Sequence, residues 1–290
     1  MNLRHQPLLL AALAVGVIGL GGLGWLARDG SGRLSGAGGS RSLLDLLEEV
    51  RQPGGAPQPP AEPAPAPPPH PAWSSPLRPS CKAGDPQRRQ QLTALAGRLR
   101  TAPERIAIDP SNYGKRHSRD AFGNPIDPTP RVVVLHETVF SMESAINTFR
   151  TPHPRDEDQV SYHAMIGLDG RVVILLDPSQ RAFGAGNSAF AGEWAITNAT
   201  VRGSVNNFAL HVSLETPADG EHIGPAHSGY SAAQYDALAA LLAVWMASFP
   251  IPPAQITTHQ AVDLWGERAD PRSFDWQALQ VRLESLGLLC

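Results

Sequence analysis

Three positions put residues able to hold a metal or move a proton at the ends of apolar segments. His136 closes the run Val132-Val133-Val134-Leu135, His259 follows Thr257-Thr258, and Asp270 lies eleven residues further on, in Arg268-Ala269-Asp270-Pro271. A ring emerging at the carboxyl end of a buried strand stands where open sheets commonly carry their sites. Each position alone is a weak signal, because a single histidine there also serves as a hydrogen-bonded core or surface residue. The chain has ten histidines and two cysteines. Histidine is therefore the ligand type to follow, since two distant cysteines cannot build a thiolate-rich zinc site.

The elements that must position these residues are legible from their periodicities. The apolar, mostly β-branched run ending at Leu135 reads as a central strand covered on both faces. Met142, Ile146 and Phe149 have helical spacing, and residues 86–100 form a second helix through Leu92, Leu95 and Leu99. Asp169-Gly170 between residues 162–168 and 171–176 is a strong hairpin signal. Phe208, Leu210, Val212 and Leu214 alternate with Ala209, His211, Ser213 and Glu215, which predicts a strand with two distinguishable faces. Ser231 and Gln234 make a capping box before a long amphipathic helix carrying Leu238, Leu241, Leu242, Trp245 and Phe249. The expected fold is α/β: one domain over residues 81–290, with a mixed central sheet flanked by helices.

Composition bounds the rest. The chain has 290 residues, and 42% hydrophobic content excludes wholesale disorder. Lys+Arg 24 against Asp+Glu 27 leaves a net charge of −3, so nucleic acid is not an expected partner. Residues 8–27 are apolar without one ionisable side chain. At ~1.5 Å per residue such a stretch spans ~30 Å of hydrocarbon, so residues 1–28 read as a membrane signal anchor, or as a cleaved signal peptide. Residues 29–80 read as a linker, Gly/Ser-rich and then Pro-rich, with twelve prolines between positions 53 and 79. Such a segment extends as a polyproline spacer, a ligand for an SH3-type domain being the other reading. Cys81 and Cys290 bracket the domain and should pair in an oxidising compartment; the alternative is two free thiols.

Taken in order, the chemistry-bearing stretches resemble the zinc-dependent N-acetylmuramoyl-L-alanine amidases, whose domain is shared with bacteriophage T7 lysozyme and the peptidoglycan recognition proteins. The markers are Val-Val-Leu-His-Glu-Thr at 133–138, Ser-Tyr-His-Ala-Met-Ile-Gly-Leu-Asp-Gly at 161–170 and Ala-Phe-Gly-Ala-Gly-Asn-Ser at 182–188. They continue with Asn-Phe-Ala-Leu-His-Val-Ser-Leu-Glu at 207–215, Gly-Tyr-Ser-Ala-Ala-Gln-Tyr at 229–235, Thr-His at 258–259 and Ala-Asp-Pro-Arg-Ser-Phe-Asp-Trp at 269–276. The resemblance implies one Zn²⁺ held by His136, His259 and Asp270, with the fourth position left for water, a nitrogen-and-oxygen set suited to a catalytic ion. It also implies that Glu215 carries the proton to the leaving amine and that Tyr162 contacts substrate or the attacking water.

Arg268 stands where many relatives place a lysine that stabilises the developing oxyanion; it keeps the charge but cannot give up a proton. Gly184 stands where relatives often carry histidine. His163 and His211 are expected to make supporting or core hydrogen bonds, and His153, His222 and His227 to be solvated. The implied function is hydrolysis of the bond between the lactyl group of N-acetylmuramic acid and L-alanine in peptidoglycan. The enzyme would work outside the cytoplasmic membrane, held there by residues 8–27 or secreted if they are cleaved. Nothing sets an oligomeric state, and a monomer is the expectation. The alternatives are a noncatalytic peptidoglycan-binding module of the same fold and a zinc amidase acting on another N-acyl peptide.

Overall fold

A computed structural model describes residues 62–222 and 224–290. The expected membrane segment and the first part of the linker lie outside the described residues. Among the described residues, no helix is long and apolar enough to cross a membrane.

Helix α1 (Pro86–Thr101) starts on Asp85, whose carboxylate accepts from the backbone N–H groups of Gln87 and Arg88, with proline in the first turn, where its missing donor costs nothing. Strands β1 (Glu104–Arg105) and β2 (Tyr113–Lys115) follow, then β3 (Val132–Glu137), the central strand expected from its apolar run. Helix α2 (Met142–Arg150) is capped by Ser141 and buries Met142, Ile146 and Phe149, the three residues that predicted it. The hairpin of β4 (Ala164–Ile166) and β5 (Val172–Ile174) turns at Gly170, whose φ of 83° is cheap only for glycine. After β6 (Gln180–Ala182) and β7 (Ala209–Leu214) comes α3 (Ala232–Ser248), opened by the expected Ser231–Gln234 capping box. Strand β8 (Ile256–Thr258), the short α4 (His259–Val262) and α5 (Trp276–Leu286) complete the chain.

Six strands form one sheet in the order β1-β5-β4-β7-β3-β8, antiparallel only between β4 and β5; β2 and β6 make a separate antiparallel pair. The mixed α/β architecture is the expected one. On one face, Val133, Leu135, Leu210, Val212 and Ile256 pack against α3 and against Leu279 and Leu283 of α5. Helix α3 is less amphipathic than its sequence suggested, because its alanines are buried too, as Ala237, Ala239 and Ala240 show. On the other face, α2 covers Met165 and Val173, while loop residues Ala185, Phe190 and Val205 cover Val132 and Val134.

Two features at the edge of the domain decide its extent. Cys81 and Cys290 form a disulfide, so the paired reading of the two thiols holds. Residues 62–80 are not a free spacer. The Trp194 indole donates to Pro65 O at 2.9 Å and the Trp73 indole to Ala254 O at 3.0 Å. Trp73 leans on Trp276 with centroids 5.9 Å apart, Leu77 is part of the core, and Gln280 pairs with both backbone groups of Arg78. Proline removes donors, and here partner side chains use the carbonyls that remain.

Candidate metal centre

Strands β3 and β8 are parallel neighbours, and both deliver a ligand candidate at their carboxyl ends. His136 is the fifth residue of β3, and His259 follows β8 directly, where Thr258 caps the short α4 by accepting from Ala261 N–H. Asp270 arrives on the next loop. Asp263 shapes that loop by accepting from the backbone N–H groups of Trp265, Glu267 and Arg268, and Gln260 N–H donates to Asp270 O at 3.0 Å. The Asp270–Pro271 peptide is cis.

The three side chains converge. His136 Nδ1 and His259 Nδ1 lie 3.2 and 3.1 Å from the Asp270 carboxylate, and one ligand atom from each residue falls within 4.8 Å of the others. Burial pushes the His136 imidazole down to about 4, with a second contribution from His259, so it is neutral and able to coordinate near pH 7. Burial acts to raise Asp270, but hydrogen bonds from His136 and His259 outweigh it and hold the carboxyl well below the usual range. Two imidazoles and a carboxylate fit a divalent ion of the zinc type. Beside them opens a cleft of about 430 Å³, lined among others by Tyr162, Arg268 and the exposed apolar pair Val139 (71%) and Phe140 (54%). A separate groove of about 650 Å³, between α1 and α3, shares no lining residue with it.

Tyr162 stacks on His136 with centroids 4.5 Å apart, and burial followed by the nearby Asp270 charge pushes its phenol well up, so it keeps its proton. Arg268 is exposed at the cleft two residues before Asp270. Glu215, expected to carry the proton, is held by backbone donors. Its Oε1 accepts from Met142 N–H and its Oε2 from Leu168 N–H, both at 2.9 Å, and it does not line the cleft. The carboxylate caps the first turn of α2 and ties down the β4–β5 hairpin. The β7 residue in register with His136 is Ser213. His227 is also corrected: it is buried against Glu137 rather than solvated. His153 is half-buried on Asn112, and His222 is exposed as expected.

Sequence reasoning missed Glu137 and Arg272. Glu137 follows His136 and accepts from the Tyr230 hydroxyl at 2.6 Å and from both the backbone N–H and the guanidinium of Arg272. Arg272 also donates to the carbonyls of Gly220, His222 and Gly224. This pair binds the strand, the Asp270 loop and the cleft wall together. Both residues lie inside the family-like blocks at 133–138 and 269–276, close to the candidate ligands His136 and Asp270, but nothing in those blocks shows that they pair. His163 and His211 do make the supporting bonds expected of them, with His211 Nδ1 3.0 Å from His136 Nε2.

The mixed sheet thus brings two histidines and an aspartate to one strand-end cleft, a group that could hold a metal ion. The sequence profile of the N-acetylmuramoyl-L-alanine amidases matches residues 126–273, and the chain belongs to that family. Among solved structures it is similar to AmpD, crystallised as a selenomethionine derivative, at 22% identity over 63% of this chain and 94% of that one, with a TM-score of 0.44. It is also similar to the amidase LysC from Clostridium intestinale, at 17% identity over 63% and 98% of the two chains and a TM-score of 0.37. For the Staphylococcus aureus hydrolase AmiA the identity is 15% over 73% and 95%, with a TM-score of 0.44. No curated protein matches the chain.

Proposed function

We propose that the chain is a zinc-dependent N-acetylmuramoyl-L-alanine amidase acting on peptidoglycan outside the cytoplasmic membrane. The observation that carries this reading is the convergence of His136, His259 and Asp270 within 4.8 Å beside an open cleft, in a chain of this family. Zinc bound there would polarise the scissile carbonyl and make hydroxide available near neutral pH. The protein's own groups do the rest. Val139 and Phe140 offer an apolar rim to the substrate, the Tyr162 phenol keeps a proton to donate as a hydrogen bond, and Arg268 supplies positive charge near the developing oxyanion. With Glu215 committed to backbone donors and Glu137 to Arg272 and Tyr230, the cleft carboxylates without a side-chain hydrogen bond among the described residues are Glu221 and Glu267. One of these is the proton carrier to the leaving amine in this reading. The disulfide agrees with an oxidising compartment, and residues 8–27 would provide the anchor or the export signal.

The test is digestion of purified peptidoglycan by the zinc-loaded chain, read as new L-alanine amino termini and repeated after chelation. Release that chelation abolishes is the expected result, and no release refutes the hydrolase. The placement of Glu215 favours one second reading, a noncatalytic peptidoglycan-binding module; retention on murein without hydrolysis, with or without zinc, would establish it. Release from small N-acyl peptides but not from muropeptides would assign the third, a zinc amidase of other substrate class.

A further inference from the structure

The neighbours of His136 on the sheet carry an inference about how this centre is set. The β3–β7 register puts His211 beside Val134 and Ser213 beside His136, on the same face. His136 and His211 are fully buried, and the hydrogen-bond partner of His136 Nε2 among the described residues is His211 Nδ1. An ion held at His136 Nδ1 needs that nitrogen's lone pair, so the ring proton must sit on Nε2, and Nε2–H then needs an acceptor in a place without water. His211 Nδ1 is that acceptor.

The His211 ring is itself fixed. Its backbone N–H donates to His163 Nδ1 at 3.0 Å, His163 Nε2 reaches Gln180 O at 3.2 Å, and the two rings lie 5.9 Å apart within 8° of parallel. On another side is Gly184, where a Cβ would meet His211 Cγ and Nδ1 at 2.5 Å. The space a side chain at 184 would take is filled by the imidazole from 211. The remaining nitrogen, His211 Nε2, has no hydrogen-bond partner among the described residues. A buried polar atom left so costs ~1–3 kcal/mol, a cost that packing alone would not require and that the bond to His136 Nε2 offsets. Packing therefore does not account for a histidine at this position.

We propose that His211 is a positioning residue of the metal centre, holding His136 in the tautomer and orientation that present Nδ1 to the ion. The inference rests on the zinc reading above. Its test is zinc affinity of the full chain, by competition with a chromogenic chelator, beside thermal unfolding of the metal-free chain. His211→Leu should weaken zinc binding ~10–100-fold, the range for losing such a partner, with the metal-free midpoint little changed because one unpaired buried nitrogen replaces another. His211→Asn, which keeps an acceptor close to the Nδ1 position, should restore most of the affinity. Wild-type affinity in the leucine variant, or an asparagine variant as weak as the leucine one, overturns the proposal. If the leucine variant does not fold, Gly184→Ala carries the test, because it keeps the imidazole and displaces it; unchanged affinity there overturns the proposal equally. A wild-type chain that takes up no zinc overturns the metal reading itself, an outcome distinct from a coupling failure.

Discussion

The two faces of strand β3 are built to different rules. Toward α3 and α5 it presents Val133 and Leu135, joined by Leu210, Val212, Leu214 and Ile256, all aliphatic and all fully buried. The opposite face begins with Val132 and Val134 but ends in His136, beside His211 and Ser213 on β7 and next to Thr257 on β8. There, His211 Nε2, Ser213 Oγ and Thr257 Oγ1 are buried without a hydrogen-bond partner among the described residues. The pleat separates the two duties. One face removes apolar area from water, while the other carries the candidate ligands and tolerates polar atoms that cost stability.

The sharpest way to break this comparison is at the proposed ligands. His136→Ala or His259→Ala should abolish stoichiometric zinc and lower peptidoglycan hydrolysis by ~10³-fold or more, the scale of losing a catalytic ion's contribution. Metal analysis and a release assay check both, and activity that survives without zinc would detach chemistry from the polar face. On the packing face, Leu135→Ala should cost ~2–5 kcal/mol in denaturant unfolding, and the variant that remains folded should keep its zinc affinity.

Acid should discriminate the faces next. Burial pushes His136 to about 4 and His163 to about 3 from an ordinary 6.5. Between those values the unfolded chain binds the extra protons, so the stability contribution is complete above about pH 6.5 and is lost progressively as pH falls toward the folded-state values. Each imidazole contributes a slope of up to ~1.4 kcal/mol per pH unit. The metal-free midpoint should therefore drop steeply from pH 6.5 to 5, and a flat profile would mean that the polar face does not hold neutral imidazoles. The smallest effect is expected at Glu215, which belongs to neither face. Glu215→Gln should lose ~1–3 kcal/mol of stability through its two backbone contacts, with turnover changed far less. A collapse of turnover at unchanged stability would return the proton-carrying role to it.

Much of this architecture was readable from local pattern. The run ending at Leu135, the helical spacing of Met142, Ile146 and Phe149, the Asp169-Gly170 turn and the Ser231–Gln234 box each depend on neighbours within a few residues, and each is present. The ligand trio was reached through family resemblance over ordered blocks, and the fold brings the three together. Glu215 was assigned its role through the same resemblance, which carries no information on what the carboxylate meets. Alternation along β7 sets its parity but not its neighbours, and in the fold Met142 N–H at the first turn of α2 donates to its carboxylate. Residues 62–80 were read as spacer because composition reports missing donors and says nothing of the Trp194 indole that donates to Pro65 O or of the Ala254 carbonyl that accepts from Trp73.

The sequence alone determined the elements, their caps and turns, and the types of side chain available for chemistry, because these follow from periodicity and from backbone preferences over a few bonds. Only the tertiary structure decided which of those side chains meet. The Glu137–Arg272 tie, the His136–His211 bond and the fit of the His211 ring over Gly184 join positions that share no local signal. They exist because parallel strands bring distant parts of the chain to one edge, where register sets each neighbour and burial sets the cost of leaving it unpaired.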